Sequence, residues 1–197
     1  MKNTTNNIYT SLSPKKIAIL LAALLMIVIL LFSCFSAKNN GAKVAPDPDV
    51  FTEATVTKIV DGDTFWVTWK GGSDKVRLIG INAPEIDQFA TGKTDGDYST
   101  DYLSSLIKVD QVVYMQTDVS DSDQYNRLLR YVWLEKPNDK NKDDEIRSKM
   151  LNALILLNGY ADAVEYTPDV KYSKNFSTYQ SEAQKNKLGL WQEDTTK

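Results

Sequence analysis

Four short segments carry side chains that can act together on a phosphate: Asp61-Gly62-Asp63, Arg77, Asn82-Ala83-Pro84-Glu85 and Arg127. A hard cation held by carboxylates neutralises one oxygen of a phosphodiester, and two arginines clamp the others as charge grows. A glutamate can orient or deprotonate the attacking water. The chain has no histidine and a single cysteine, Cys34. This removes Ser-His-Asp and Cys-His hydrolases, His-ligated zinc enzymes, cysteine-built metal clusters and an intrachain disulfide. Each segment alone has a plain structural explanation. Asp61-Gly62 between two alternating runs is a hairpin signal. Arg77 alternates with Val76 and Leu78, so if those face the core it points to solvent. Ala83-Pro84-Glu85 reads as a charged loop.

The elements that must position these residues follow from hydrophobic periodicity. Alternating, β-branched runs predict strands over 55–60, 64–69, 76–81, 111–117 and 128–134, with turns at 61–63 and 71–74. Residues 82–97 form a polar loop. Apolar positions Tyr98, Tyr102, Leu103, Leu106 and Ile107 lie on one helical face and predict a helix over 98–108. A second helix is expected over 146–158, with Asp143, Asp144 and Glu145 at its positive end and Gly159 as its stop. A third is expected over about 176–187. Five strands, one helix after the third and others after the fifth, give an α+β, mainly β fold: a five-stranded OB-like barrel with about three helices. In that fold the Asp61–Asp63 turn, Arg77, the Asn82–Glu85 stretch and Arg127 can meet at one end of the barrel.

Charge sharpens the problem. The 197 residues contain 23 basic and 26 acidic groups, but residues 1–34 hold three lysines and no acid. Residues 35–197 therefore carry 20 basic against 26 acidic groups, which argues against tight nonspecific binding to nucleic acid. A phosphate substrate has to be held by a local cluster working against the overall field.

The amino terminus reads as an address. Lys15-Lys16 precede an uninterrupted apolar run from Ile17 to Phe32, which as a helix spans about 24 Å and, extended through Phe35, about 28 Å. The lysines predict that the preceding segment stays inside and the remainder is exported. Signal anchor, cleaved secretory signal and lipoprotein signal all fit. Leu31-Phe32-Ser33-Cys34 resembles a lipobox with Cys34 as the lipidated residue, although Phe32 is larger than usual there. The expected organisation is a signal or membrane anchor over 1–35, a flexible linker over 36–50 and one domain over 51–197. The domain is expected to be extracytoplasmic and monomeric, held at the cell membrane by a lipid or signal anchor or released from it.

The run from Thr57 to Thr64 (TKIVDGDT) and that from Val76 to Glu85 (VRLIGINAPE) together resemble the staphylococcal (micrococcal) nuclease family, the thermonucleases. Asp123-Gln124-Tyr125-Asn126-Arg127 is similar to the family's second arginine segment, and Ser181 through Trp191 to its closing helix and tryptophan. The resemblance covers about Thr52 to Asp194. It implies a calcium-dependent endonuclease on an OB-fold, acting on DNA and RNA and leaving 3′-phosphate ends. By matching position it implies Asp63 as a Ca2+ ligand, with Asn82 at a second ligand position, Ala83 as a backbone carbonyl ligand and Asp61 acting through water. Arg77 and Arg127 would hold the scissile phosphate, Glu85 would be the general base, and Tyr125 and Tyr166 would contact nucleotides.

The chain departs from the pattern at two places. Asn82 stands where the family commonly has aspartate; its amide oxygen can still coordinate calcium, with one charge fewer. Gln124 replaces a lysine. These departures and the acidic balance leave a non-catalytic OB-fold binding module for nucleic acid or protein at the cell surface as the alternative. Asp121-Ser122-Asp123 begins like an EF-hand loop, but Asn126 and Val132 fall where glycine and glutamate are needed, so that reading fails.

Overall fold

The structure, a computed structural model, describes Lys15, Asp47 and residues 49–192. The expected signal or anchor segment, Cys34 and most of the linker lie outside the described residues. Among the described residues no helix is long and apolar enough to cross a membrane.

Five strands close into a barrel: β1 (Thr52–Ile59), β2 (Thr64–Trp69), β3 (Gly72–Leu78), β5 (Val112–Gln116) and β6 (Leu128–Trp133), in the order β1-β2-β3-β6-β5. All neighbours are antiparallel except β3 and β6, which run parallel with Val76 opposite Leu128 and Arg77 opposite Leu129. This is the five-stranded mixed barrel of the OB-fold. Alternation fills its interior: Val56, Phe65, Val67, Val76, Leu78, Val113, Met115 and Val132 are fully buried, as period-two side-chain placement demands.

The expected third strand stops at Leu78. Ile81–Asn82 (β4) instead leave the barrel and pair with Asp162–Ala163 (β7), Ile81 opposite Ala163 and Asn82 opposite Asp162. The separation matters because, out of the barrel ladder, Ile81 and Asn82 fold back over the face on which Arg77 sits.

Helix α1 (Asp95–Leu106) begins a turn earlier than the apolar spacing predicts. Thr94 Oγ1 accepts from the Asp97 N–H, and the Asp97 carboxylate accepts from the Thr94 N–H at 2.7 Å. This capping box satisfies two orphan donors. The single helix expected over 146–158 is two, α2 (Asp143–Lys149) and α3 (Leu151–Leu157). Met150 between them is extended, at φ −85° and ψ 121°, and bridges to Trp133 of β6. A backbone bond to the barrel thus overrides a continuous helical pattern. With α4 (Ser173–Lys185) the helices number four among the described residues, one more than expected.

Asn152 of α3 ties helix to barrel. It is fully buried, its Oδ1 accepts from Val132 N–H at 2.9 Å, and its Nδ2 donates to Ile79 O at 2.9 Å. It therefore completes backbone hydrogen bonding where β3 ends and β4 departs.

Candidate active site

An open cleft of about 560 Å³ lies where β3 ends, walled by the segments 120–127 and 166–169. Arg77, Asn82, Glu85, Tyr125, Arg127 and Tyr166 all line it. These residues come from β3, β4, the loop after β4, the turn before β6 and the loop after β7. Asp63, Ala83 and Asp61 do not line the cleft; Asp63 contacts Arg77, and Ala83 and Asp61 are each hydrogen-bonded to Asp63.

Arg77 does not point to open solvent. Its side chain is 11% exposed and is held on three sides. Nη1 donates to Leu78 O and Ile81 O, each at 2.8 Å, and Nη2 donates to Asn82 Oδ1 at 3.0 Å. The same Nη2 lies 3.0 Å from Asp63 Oδ2. An alternating arginine on the outer barrel face is covered because β4 and its loop fold over that face.

Asp63 is buried. Its Oδ1 accepts from Thr64 Oγ1 at 2.9 Å, and its Oδ2 accepts from the Ala83 N–H at 2.8 Å. Burial pushes the Asp63 carboxyl up, to about 6, against the opposing pull of the Arg77 charge and the Ala83 N–H, with nearby Asp61 adding to the rise. The Asp61 carboxylate accepts from the Asp63 N–H at 3.0 Å and so fixes the turn in which Asp63 stands. Asp61-Gly62-Asp63 is thus more than a hairpin turn. A Cβ on Gly62 would lie 2.6 Å from Ser99 Cβ and 2.7 Å from Ala83 Cβ. Glycine is needed so that α1 and the Ala83 segment can close on the turn.

Arg127 is held by Asp123. The Asp123 carboxylate accepts from Arg127 Nε at 2.7 Å and from the backbone N–H groups of Arg127 and Tyr125, each at 2.9 Å. Burial raises the Asp123 carboxyl, but these donors outweigh it and hold it below the ordinary carboxylate range. Only Nε of the guanidinium is engaged among the described residues, so Nη1 and Nη2 are available to a ligand. The guanidinium also lies 5.5 Å from the centroid of the Tyr125 ring, which is 70% exposed. Across the cleft, Tyr166 is 62% exposed. Its loop is pinned by Asp169, whose Oδ1 accepts from Val119 N–H at 3.0 Å and Ser120 N–H at 2.8 Å.

Glu85 is exposed and makes no hydrogen bond or ion pair with another described residue. Its position is set through the backbone. Gly96, in the first turn of α1, packs so closely on the Glu85 carbonyl that any Cβ there would collide, and that Cβ would stand 2.6 Å from Ile86 N. The sequence reading missed three supports: Asp123 as the holder of Arg127, Asp169 as the anchor of the Tyr166 loop, and Gly96 beneath Glu85. Asp123 was legible in principle, since an aspartate four residues before an arginine, with Asn126 at φ 61° to close the turn, is a local motif. The other two act over long sequence separations and leave no local signal.

The metal-ligating groups that the contacts tie to Asp63 are oxygens: its own carboxylate, the Asn82 amide oxygen that shares Arg77 Nη2 with it, and the Asp61 carboxylate. That set fits a hard cation. Asp63 Oδ2 and Asn82 Oδ1 each lie 3.0 Å from one nitrogen of Arg77, so a cation held by them shares these oxygens with the guanidinium. No group of three or more acidic, histidine or cysteine side chains able to hold a metal occurs among the described residues, so the set is low in charge.

Barrel and cleft together define a class: an OB-fold protein that presents two arginines and a carboxylate at one open site. Comparison with known proteins assigns the family. Residues 75–193 match the staphylococcal nuclease homologue family. The thermonuclease of Staphylococcus intermedius is 31% identical over 172 residues, covering 84% of this chain and 91% of that protein. That of Staphylococcus hyicus is 31% identical over 141 residues, covering 69% and 73%. An SPbeta prophage-derived endonuclease of Bacillus subtilis is 29% identical over 142 residues, covering 71% of this chain and 44% of its own length. The chain belongs to the staphylococcal nuclease family and, with it, to the nucleases as an enzyme class.

Proposed function

We propose that this protein is a calcium-dependent nuclease that hydrolyses phosphodiester bonds of DNA, RNA or both to 3′-phosphate ends, outside the cytoplasm and tethered at the membrane. The observation that carries the reading is the meeting of Arg77, Arg127 and Glu85 on one cleft, with the oxygens of Asp63 and Asn82 at the Arg77 guanidinium. Arg77 and Arg127 bind the scissile phosphate from two sides. Arg127 offers its free Nη1 and Nη2, and Asp123 fixes the plane of its fork, which suits bidentate contact with phosphate oxygens. Glu85 takes a proton from the attacking water. The new P–O bond forms as the P–O5′ bond breaks, and the 5′ oxygen leaves as a hydroxyl after taking up a proton from solvent. Tyr125 and Tyr166 both line the cleft with exposed rings and hold the nucleotides next to the break.

Asp63, Asn82 and the Ala83 carbonyl would hold the calcium ion, with Asp61 acting through water. When bound, it supplies positive charge against a non-bridging phosphate oxygen. Asn82 contributes an oxygen but no charge, so binding is weak and suits the millimolar calcium found outside cells. Support for the location comes from the sequence alone: Lys15-Lys16 before the apolar run, and the chain's only cysteine at the lipobox-like position.

The test incubates the full-length protein with denatured DNA and with total RNA in roughly 5–10 mM calcium, the excess a weak site needs, or with chelator. Cutting is expected with calcium only. Glu85→Gln should lower the rate by about 10²–10⁴-fold, the range of a general base. Cutting that ignores the chelator, or that survives Glu85→Gln within a few fold, would refute the mechanism.

A further inference from the structure

A second groove, of about 530 Å³, adjoins the cleft and shares Tyr125 and Arg127 with it. Its floor is the outer face of β2 and β3. Trp66 lies directly opposite Lys75 in the β2–β3 register. The parallel β3–β6 register, Val76 with Leu128 and Arg77 with Leu129, carried back one residue, sets Lys75 beside Arg127. Trp66, Lys75 and Arg127 thus form one row from β2 through β3 to the turn before β6, and Thr64, Arg77 and Leu129 form the next. The two rows are about 6.7 Å apart, two residues along a strand. A nucleic-acid strand gripped at Arg77 and Arg127 therefore meets the Trp66 row within one or two nucleotides.

The groove has the chemistry of a base platform. Trp66 is half-buried, and Lys75 Nζ rests 5.3 Å from its ring centroid. Such a cation–π contact at a surface is weaker than the stacking of a base on an aromatic ring. The exchange, with a base on the indole and the freed ammonium on a phosphate, is favourable. Asp74, the one acid in the groove, has its Oδ2 engaged by the Trp69 indole N–H at 2.5 Å. The arrangement also answers the problem of the acidic domain. A protein with no long-range attraction for phosphate gains affinity from stacking, which salt does not screen.

We infer that the groove floored by Trp66 and Lys75 is a second nucleotide subsite, which stacks an unpaired base of single-stranded nucleic acid outside the cleavage cleft. The inference rests on the nuclease reading and deepens it by adding a binding surface outside the cleavage cleft.

The test measures binding of labelled thymidine mononucleotide and of a labelled ten-nucleotide oligothymidylate to the full-length protein in chelator, so that binding is read without cutting. Trp66→Leu keeps apolar bulk and removes the aromatic face. It should weaken the ten-nucleotide probe by roughly 5- to 100-fold and leave the mononucleotide unchanged, while Trp66→Phe retains most of the affinity. Lys75→Gln should flatten the salt dependence by about one phosphate contact. Unchanged binding of the longer probe by Trp66→Leu, or an equal loss for both lengths, overturns the subsite. If the wild-type protein cuts and binds but the Trp66→Leu protein matches it, only this inference falls. If the wild-type protein neither binds nor cuts, the nuclease reading falls and takes the subsite with it.

Discussion

Gly62→Ala places a single methyl group between three pieces of the site. Its Cβ would stand 2.6 Å from Ser99 Cβ on α1 and 2.7 Å from Ala83 Cβ. Both atoms are fixed to backbone, so no rotamer change relieves either contact. Restoring ordinary contact requires a shift of about 0.8 Å in α1 or in the Ala83 segment, of the order that costs roughly 10²-fold when a reacting group is misplaced by 1 Å. The Ala83 N–H bonds Asp63 Oδ2 at 2.8 Å, so the shift acts directly on the buried carboxylate. Two opposing effects set the stability change. Replacing glycine lowers the entropy of the unfolded chain and stabilises by about 0.4–1 kcal/mol. Overpacking costs about 1–3 kcal/mol, and with two collisions it wins. The variant should lose about 1–2 kcal/mol in denaturant unfolding and between 10- and 10²-fold in the rate of cutting denatured DNA. Adding Ser99→Gly removes the nearer collision and should recover part of the rate. Stability should stay low, because glycine within a helix costs about 1 kcal/mol and the bond from Ser99 Oγ to Tyr160 O, 2.7 Å, is lost. Gly92→Ala, where an added Cβ meets nothing within 4 Å, is the neutral comparison. A Gly62→Ala protein as stable and as fast as wild type would refute the packing argument and, with it, the role given to the Asp63–Ala83 contact.

Two further outcomes follow from the same geometry. Asn82→Asp adds one negative charge at the oxygen that meets Arg77 at 3.0 Å, and should tighten calcium binding on the order of tenfold or more, read by calorimetric titration; an unchanged affinity would exclude residue 82 from the ligand set. Asn152→Ala leaves the buried Val132 N–H and Ile79 O without their partner and should cost about 2–4 kcal/mol in denaturant unfolding; a loss below about 1 kcal/mol would show that water satisfies both groups.

The barrel was legible because its signals are local. Val76, Leu78, Val56 and Val67 alternate, and alternation by itself assigns one face of each strand to the interior. The candidate cleft was half legible. Arg77, Glu85 and Arg127 could be picked out by type and order. The reason Arg77 is not a solvent-facing arginine, however, lies in its bonds to Ile81 O and Asn82 Oδ1, which exist only because β4 leaves the barrel. The break at Met150 was hidden for a related reason: helical spacing continues through it, and the bridge to Trp133 that interrupts it comes from a strand far away in sequence.

Residue type, order and spacing by themselves determined the chemistry open to this protein. Without histidine, and with a single cysteine, only carboxylates, arginines, hydroxyls and a hard ion remained. Tertiary structure decided how those groups act. It buried Asp63 and raised its carboxyl, turned one face of Arg77 onto two oxygens, and clamped Arg127 through Asp123. It also set Trp66 of β2 and Lys75 of β3 beside Arg127 in one groove. The physical reason is that charge and reactivity depend on burial and on partners within a few ångströms. Apart from local turns such as Asp123–Arg127, those partners come from strands, helices and loops whose meeting is a property of packing rather than of neighbouring residues.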